Sequence, residues 1–349
     1  MSAVTLIIEQ NVSGHRLSYV RLISDRASAT SRVIIALNPT QDDREEIALH
    51  LADLSVDVSL IWRSLGSLSA IEALSREVGA TKTVVPDGDA IALQLARRRR
   101  WKGAGSVSVL IMRESLPSRW GIPVRTWAKR FMVARARNTK NARVVVLRSS
   151  TWAGETSYPI AIDPITLLVS PDRIRVVRAL LAEHPERYWF GVVGAISSRK
   201  NVDMVAEAVA AMKAPVGLVI AGKVADESVP AVNRVSEAMS KRDVPFVVVD
   251  RLLADDELDA FVMNLDCVVL AHSNEGPSGI FGKAAAAGTR VVASGATSLR
   301  DDCDSWPEGA QWVPLDVARL ATALSDAVAL PPPAPASLPS GRSFADSLL

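Results

Sequence analysis

The residues best suited to chemistry lie between Cys267 and Ser294, in the stretch CVVLAHSNEGPSGIFGKAAAAGTRVVAS. An apolar run ends at Ala271, a Gly/Pro/Ser loop follows, and an alanine-rich helix is predicted to run to Gly288, a good helix-ending residue. Gly276 and Gly279 allow a backbone to approach a ligand closely. The helix start around Pro277, Ser278 and Gly279 presents free N–H groups that favour an anion. A loop of this composition also serves as a plain turn. Ahead of it, Glu275 reads on its own as a helix N-terminal carboxylate favoured by the dipole. Upstream, Arg199 and Lys200 form a basic pair. Taken alone, the pair reads as solvated cations before a helix.

A second polar loop, Glu9-Gln10-Asn11-Val12-Ser13-Gly14-His15-Arg16, follows the first apolar run. Gly14 permits close approach to a phosphate. His15 and Arg16 are candidates for contact with a ligand, although a histidine in a first helical turn is commonly ordinary surface. In Val84-Val85-Pro86-Asp87-Gly88-Asp89, Asp87 or Asp89 is placed to act, or both are turn formers. From Arg97 to Arg148 there are 15 basic residues and one acidic one, Glu114. Within that segment Val124, Trp127, Phe131 and Ala134 recur at helical spacing beside Arg125, Lys129, Arg130, Arg135 and Arg137. This reads as a basic amphipathic helix for an anionic membrane surface, or as a core-packing stripe with a solvated rim. No nucleic-acid motif accompanies the charge.

The elements that must hold these residues alternate regularly. Strand-like runs fall at Thr5–Glu9, Val33–Leu37, Val56–Ile61, Thr83–Val85, Val107–Met112, Val144–Leu147 and Tyr158–Ile162. The rhythm restarts at Trp189–Ile196, Val216–Ala221, Pro245–Val249, Asp266–Ala271, Arg290–Ala293 and Gln311–Val313. Apolar strands separated by helices predict parallel sheets covered on both faces, so the chain is α/β with two doubly wound domains and a cleft between them. Asp163-Pro164 marks the boundary, giving domains 1–164 and 165–330. Ser170 and Pro171 then start a helix. Asp316–Leu330 is the expected last helix, and the proline-rich tail 331–349 is expected to be disordered.

Composition narrows the classes. The 349 residues are 48% hydrophobic and 22% charged, as in globular proteins. Residues 1–164 carry 23 Lys and Arg against 15 Asp and Glu, a net of +8; residues 165–349 carry 17 against 23, a net of −6. The N-terminal half is thus expected to meet something anionic. Four scattered histidines and two cysteines, Cys267 and Cys303, make no metal cluster or disulfide framework. No signal peptide is recognised, and no apolar stretch reaches the roughly 20 residues of a membrane helix. A cytoplasmic protein is expected, at most peripheral at the inner face of the membrane.

Residues 188–295 carry a resemblance in order and spacing. Phe190–Lys200 (FGVVGAISSRK), Leu218-Val219-Ile220-Ala221-Gly222, Glu275-Gly276, Ala284 and Gly288–Ser294 (GTRVVAS) are similar to the C-terminal domain of family 4 (group 1) retaining glycosyltransferases. The N-terminal half fits through its architecture and Gly14. The resemblance implies the GT-B fold, two Rossmann-like domains, and transfer of a sugar from a nucleotide-diphosphate donor to a glycan or lipid-linked acceptor, without metal or other cofactor. It implies that Glu275 meets donor-sugar hydroxyls and that Lys200 contacts the diphosphate, with Arg199, Gly14 and Gly276–Gly279 around the donor. Three positions depart from the pattern. Lys283 stands where the family has a second acidic residue for the ribose, so the ribose is held differently or Lys283 turns to phosphate. Ala195 replaces an arginine, a role Arg199 is placed to take. The loop around Asp87 lacks the family's histidine. These departures also raise the alternative of a catalytically degenerate protein that binds a sugar nucleotide or glycan as a regulatory or scaffolding partner.

Overall fold

Every apolar run named above is a β-strand in the computed structural model, which describes residues 3–12, 16–38, 44–112, 123–152, 154–168, 170–276 and 278–349, the side chains of 44–46, 49 and 123–128 excepted. Residues 1–148, 154–164 and 339–349 make one compact unit, and 149–153 with 165–338 make the other.

The first unit holds seven parallel strands: β1 (Val4–Glu9), β2 (Arg32–Leu37), β3 (Val58–Trp62), β4 (Lys82–Val85), β5 (Ser106–Ile111), β6 (Ala142–Arg148) and β7 (Ile160–Ile162). Their order is β3-β2-β1-β4-β5-β6-β7. Alternation along β1 sends Leu6 and Ile8 to one apolar layer and Ile7 to the other, where it joins Val33 and Ile35 of β2. Both faces are therefore sealed by helices, as the unbroken apolar runs require. Each such side chain contributes about 1.5–3 kcal/mol by leaving water.

The second unit repeats the plan with β8 (Tyr188–Val193), β9 (Val216–Ala221), β10 (Phe246–Val249), β11 (Cys267–His272), β12 (Arg290–Gly295) and β13 (Ala310–Val313), ordered β10-β9-β8-β11-β12-β13. All six residues of β9 are buried. Leu218 and Ile220 enter one apolar layer, Val219 and Ala221 the other. The alanine-rich helix spans Gly279–Ala287 and ends at Gly288, whose φ of +71° is a left-handed conformation suited to glycine. Phe281, fully buried, anchors its first turn edge-on against Trp306 at 6.3 Å.

Strand order locates the crevices. In the first unit the chain winds outward on one side of β1 and returns on the other through β4. In the second it does the same about β8 and β11. Ligands of open parallel sheets sit beyond the carboxyl ends of the strands at such reversals. Glu9 and Val85 end the first pair, Val193 and His272 the second.

The tail departs from expectation. The helix beginning after Asp316 ends at Ala329 and is followed by another, Gly341–Leu348, which is part of the first unit. Phe344, Ala345 and Leu348 are buried there, with Phe344 stacked 4.7 Å from Tyr19, and Arg26 bonds Asp346 at 2.6 Å. The prolines between do stop the preceding helix, yet their segment packs as well: Ala336 N–H donates to the Ala285 carbonyl at 2.8 Å. Three apolar residues on one face of a short helix outweigh the polar composition that suggested disorder.

Candidate active site

In the second unit the two loops at the β8/β11 reversal are stitched together. The Arg199 carbonyl accepts from Ser273 N–H at 3.0 Å, and Asn201 Nδ2 donates to the Ala271 carbonyl at 2.7 Å. Lys200 ends a short 3-10 turn, Ser198–Lys200, and its side chain is folded inward, only 4% exposed. Its Nζ donates to the Val193 carbonyl at the end of β8. A methyl group placed on Gly194 would lie 3.4 Å from Ile280 Cδ1 and 3.5 Å from Lys200 Nζ. The ammonium therefore sits beside the first turn of the 279–287 helix. Burial, reinforced by the charge of Arg199, pushes the Lys200 ammonium down to about 7. An anion brought to this point would restore its proton and its charge.

The helix start beside it presents free N–H donors. Ser278 is the N-cap, its Oγ accepting from Phe281 N–H at 3.3 Å. The N–H groups of Gly279 and Ile280 have no partner within the helix by its geometry. Gly276 has φ of +136°, a backbone that side chains other than hydrogen rarely tolerate. A methyl on Gly279 would meet nothing within 4 Å, so the protein itself leaves that side open. Pro277 lies outside the described residues.

Glu275 is held rigidly. Its Oε1 accepts from Thr297 N–H at 3.0 Å and its Oε2 from Ser298 N–H at 2.9 Å, which caps the helix Thr297–Ser305. Burial raises the carboxyl, but the N–H bonds from Thr297 and Ser298 outweigh it and leave it below its ordinary value. The helix-terminal reading of Glu275 thus describes what it does within the protein, on a helix further along than expected. Each oxygen retains a lone pair for an incoming hydroxyl.

Two residues overlooked in the sequence flank it. The His272 Nε2 and Asn274 Oδ1 atoms are buried and have no hydrogen-bond partner among the described residues. Burial, with Lys200 and Arg199 nearby, drives His272 down to about 3, so the ring is neutral. Unmet polar atoms in a buried setting cost about 1–3 kcal/mol each, and a ligand would relieve both. The signal was their position on either side of Ser273, directly after a strand end.

Lys283 is otherwise engaged. Its Nζ lies 2.5 Å from Asp259 Oδ1 and 3.1 Å from the Thr166 carbonyl. Asp259 is fully buried in the helix Asp255–Asn264, and its other oxygen accepts from Leu168 N–H at 2.6 Å. Burial raises the Asp259 carboxyl and Lys283 partly offsets the rise. The lysine's charge answers a buried aspartate, which explains a lysine at this position without a phosphate. Arg199, by contrast, has an exposed side chain whose Nε donates to Ser197 Oγ at 3.2 Å.

In the first unit Gly14 and His15 lie outside the described residues. Arg16 opens the helix Arg16–Ala27 and bonds Asp87 through Nε at 2.6 Å, joining the loops after β1 and β4. Asp89 is tied into the fold: it accepts from Met112 N–H at 3.0 Å and pairs with Lys129 at 3.1 Å. Glu9, which ends β1, is 1% exposed and was not singled out by sequence; a charged residue closing an apolar strand was the available signal.

The basic helix is Pro123–Arg137. Val133 and Ala136 face the core, while Arg130, Phe131 and Ala134 are exposed, so the apolar stripe is offset from the spacing expected. Arg137 stacks on Tyr158 at 3.7 Å and Arg135 donates to the Ala96 carbonyl at 2.6 Å, so part of the charge serves the fold. Among the described residues no helix is long and apolar enough to cross a membrane.

With this geometry in place the likenesses to known proteins can be weighed. Residues 187–329 match the family described as glycosyl transferases group 1. No curated protein matches the chain significantly in sequence. Among solved structures, Anabaena HepE in complex with UDP and glucose is 14% identical, with a TM-score of 0.64 over 93% of this chain and 90% of that one. The sucrose-phosphate synthase of Thermosynechococcus elongatus is 16% identical, with a TM-score of 0.66 over 99% of this chain and 92% of that one. WaaG, a glycosyltransferase involved in lipopolysaccharide biosynthesis, is 14% identical, with a TM-score of 0.60 over 99% and 94% respectively. At such identities the likeness is one of fold. Residues 187–329 are thus similar to the group 1 glycosyl transferases, and the chain as a whole has the two Rossmann-like domains of the GT-B fold.

Proposed function

We propose that the protein is a glycosyltransferase that moves a hexose from a nucleotide diphosphate to a glycan or lipid-linked acceptor, with retention and without a metal. The observation that carries this reading is the convergence of Lys200 Nζ, the 279–287 helix start and the Glu275 loop at the β8/β11 reversal. Lys200 and the helix N–H groups neutralise the diphosphate, the part a cation plays elsewhere. Glu275, locked by Thr297 and Ser298, accepts from the donor sugar's hydroxyls. The departing phosphate then takes the acceptor's proton on the same face of the sugar. HepE was captured with UDP, which makes uridine donors the first to try. A screen of UDP-, GDP- and ADP-sugars, scored by nucleotide release with mixed glycans and lipid-linked sugars, tests the reading. Transfer from one donor supports it, and binding without transfer or hydrolysis of any sugar overturns it.

That second outcome would favour a sugar-nucleotide-binding partner protein. The observation behind it is Lys283, which pairs with Asp259 where the family resemblance implies a carboxylate for the ribose.

The exposed Arg130 and Phe131 suit a cytoplasmic protein resting on an anionic inner membrane face. Replacing Arg125 and Arg130 with glutamine is expected to weaken binding to phosphatidylglycerol vesicles several-fold in flotation assays, with nucleotide affinity kept. Equal flotation of variant and parent would remove the membrane from the scheme.

A further inference from the structure

Glu9 closes β1 at the reversal of the first sheet, a place where a carboxylate has no structural duty comparable to that of Glu275. Its Oε1 accepts from Asn11 N–H at 2.9 Å, whereas its Oε2 is buried and has no hydrogen-bond partner among the described residues. The charged groups acting on it are Asp87, from the loop after β4, and Arg16, from the helix after β1, themselves joined at 2.6 Å with each side chain 23% exposed. The neighbouring strand β2 ends at the uncharged Leu37, and Arg63, after β3, is taken up by Glu77 at 2.6 Å. A sheltered carboxyl thus stands beside a partly exposed ion pair at the carboxyl ends of β1 and β4.

We propose that Glu9 is a substrate-contacting residue of the first unit, its Oε2 holding a hydroxyl of a neutral polyol beside the Arg16–Asp87 pair. This rests on the transferase reading, for which the polyol is the acceptor sugar. The chemistry selects such a ligand. A carboxyl group, a carboxylate and a guanidinium together offer donors and acceptors in mixed array, which fits vicinal hydroxyls. A phosphate would face two carboxyl groups with one arginine between them, and is disfavoured. Burial pushes the Glu9 carboxyl up to about 8, against the Asn11 N–H bond and with Asp87 adding to the rise over Arg16. At neutral pH the group is a carboxylic acid, so Oε2 carries a proton to donate. A protein that keeps a carboxyl neutral in this way has a hydrogen-bond donor that ionisation removes.

The test uses the full chain with saturating UDP and follows glucose, mannose, galactose and myo-inositol by saturation-transfer NMR, in the parent, Glu9→Gln and Glu9→Leu. The parent should bind at least one of these polyols at pH 6.5 and lose roughly tenfold in affinity by pH 9, as the protonated fraction falls. Glu9→Gln, whose amide donates at every pH, should bind within about twofold of the parent at pH 6.5 and keep that affinity at pH 9. Glu9→Leu should lose roughly tenfold at pH 6.5 while its UDP affinity stays unchanged. Parental pH dependence in Glu9→Gln, full binding in Glu9→Leu, or no polyol bound by the parent would each overturn the assignment. A separate UDP titration of each protein, made before any polyol is added, keeps the two ideas apart: failure to bind UDP with polyol binding intact strikes the donor site and not Glu9.

Discussion

Two lysines of the second unit show how position decides what an ammonium does. Lys200 sits buried against a carbonyl at a strand end and, among the described residues, has no carboxylate bonded to it, so its charge is suppressed. Lys283 meets Asp259 directly and serves the fold. Removing one partner of a buried pair leaves the other charge uncompensated, at about 3–5 kcal/mol. Lys283→Met is therefore expected to lower stability by about 3 kcal/mol in urea titrations, and Lys283→Met with Asp259→Asn to recover much of that loss. An additive double variant would mean that the pair carries no coupling. Sequence could name Lys200 and Glu275 because both belong to short motifs beside strand ends. It could not show that Lys283 meets a residue on another helix, 24 positions away, and so left phosphate as an open role. His272, Asn274 and Glu9 were passed over for a related reason: orphaned hydrogen-bonding atoms become visible only when the surrounding burial is known.

Among the elements, strands were legible and the tail was not. Most strands are short apolar runs rich in β-branched residues, a local pattern that survives without knowledge of partners. The helix Gly341–Leu348 is short and follows a proline-rich stretch, and its apolar face finds Tyr19 more than three hundred residues away. Nothing local announces such a docking. Phe344 is fully buried, so Phe344→Ala should cost about 3–5 kcal/mol through lost burial and the cavity left behind. Thermal melts of the first unit's signal would record it. A change below about 1 kcal/mol would mean that the tail rests on the unit without stabilising it.

At the scale of the whole molecule, two sheets built on one plan each place a reversal at the carboxyl ends of their strands, and each reversal carries a different chemistry. The second unit offers cation, helix start and hydroxyl acceptor; the first offers a sheltered carboxyl beside an ion pair. This division suits a donor in one and an acceptor in the other. On the proposed reading, Lys200 receives the donor's diphosphate. In the free protein its ammonium titrates near 7, against 10.5 in the open chain, so ligand-free stability should rise with pH between those values as the folded form stays neutral. Anion binding reverses the preference by drawing a proton onto Nζ. UDP affinity, measured by calorimetry on the parent and Lys200→Met, tests this directly. The parent's affinity should fall by roughly tenfold or more from pH 7 to pH 9. Lys200→Met should bind at least about tenfold more weakly at pH 7 with no such fall, and with its melting temperature kept. Equal affinity in the two proteins at pH 7, or the same pH dependence in both, would contradict the account.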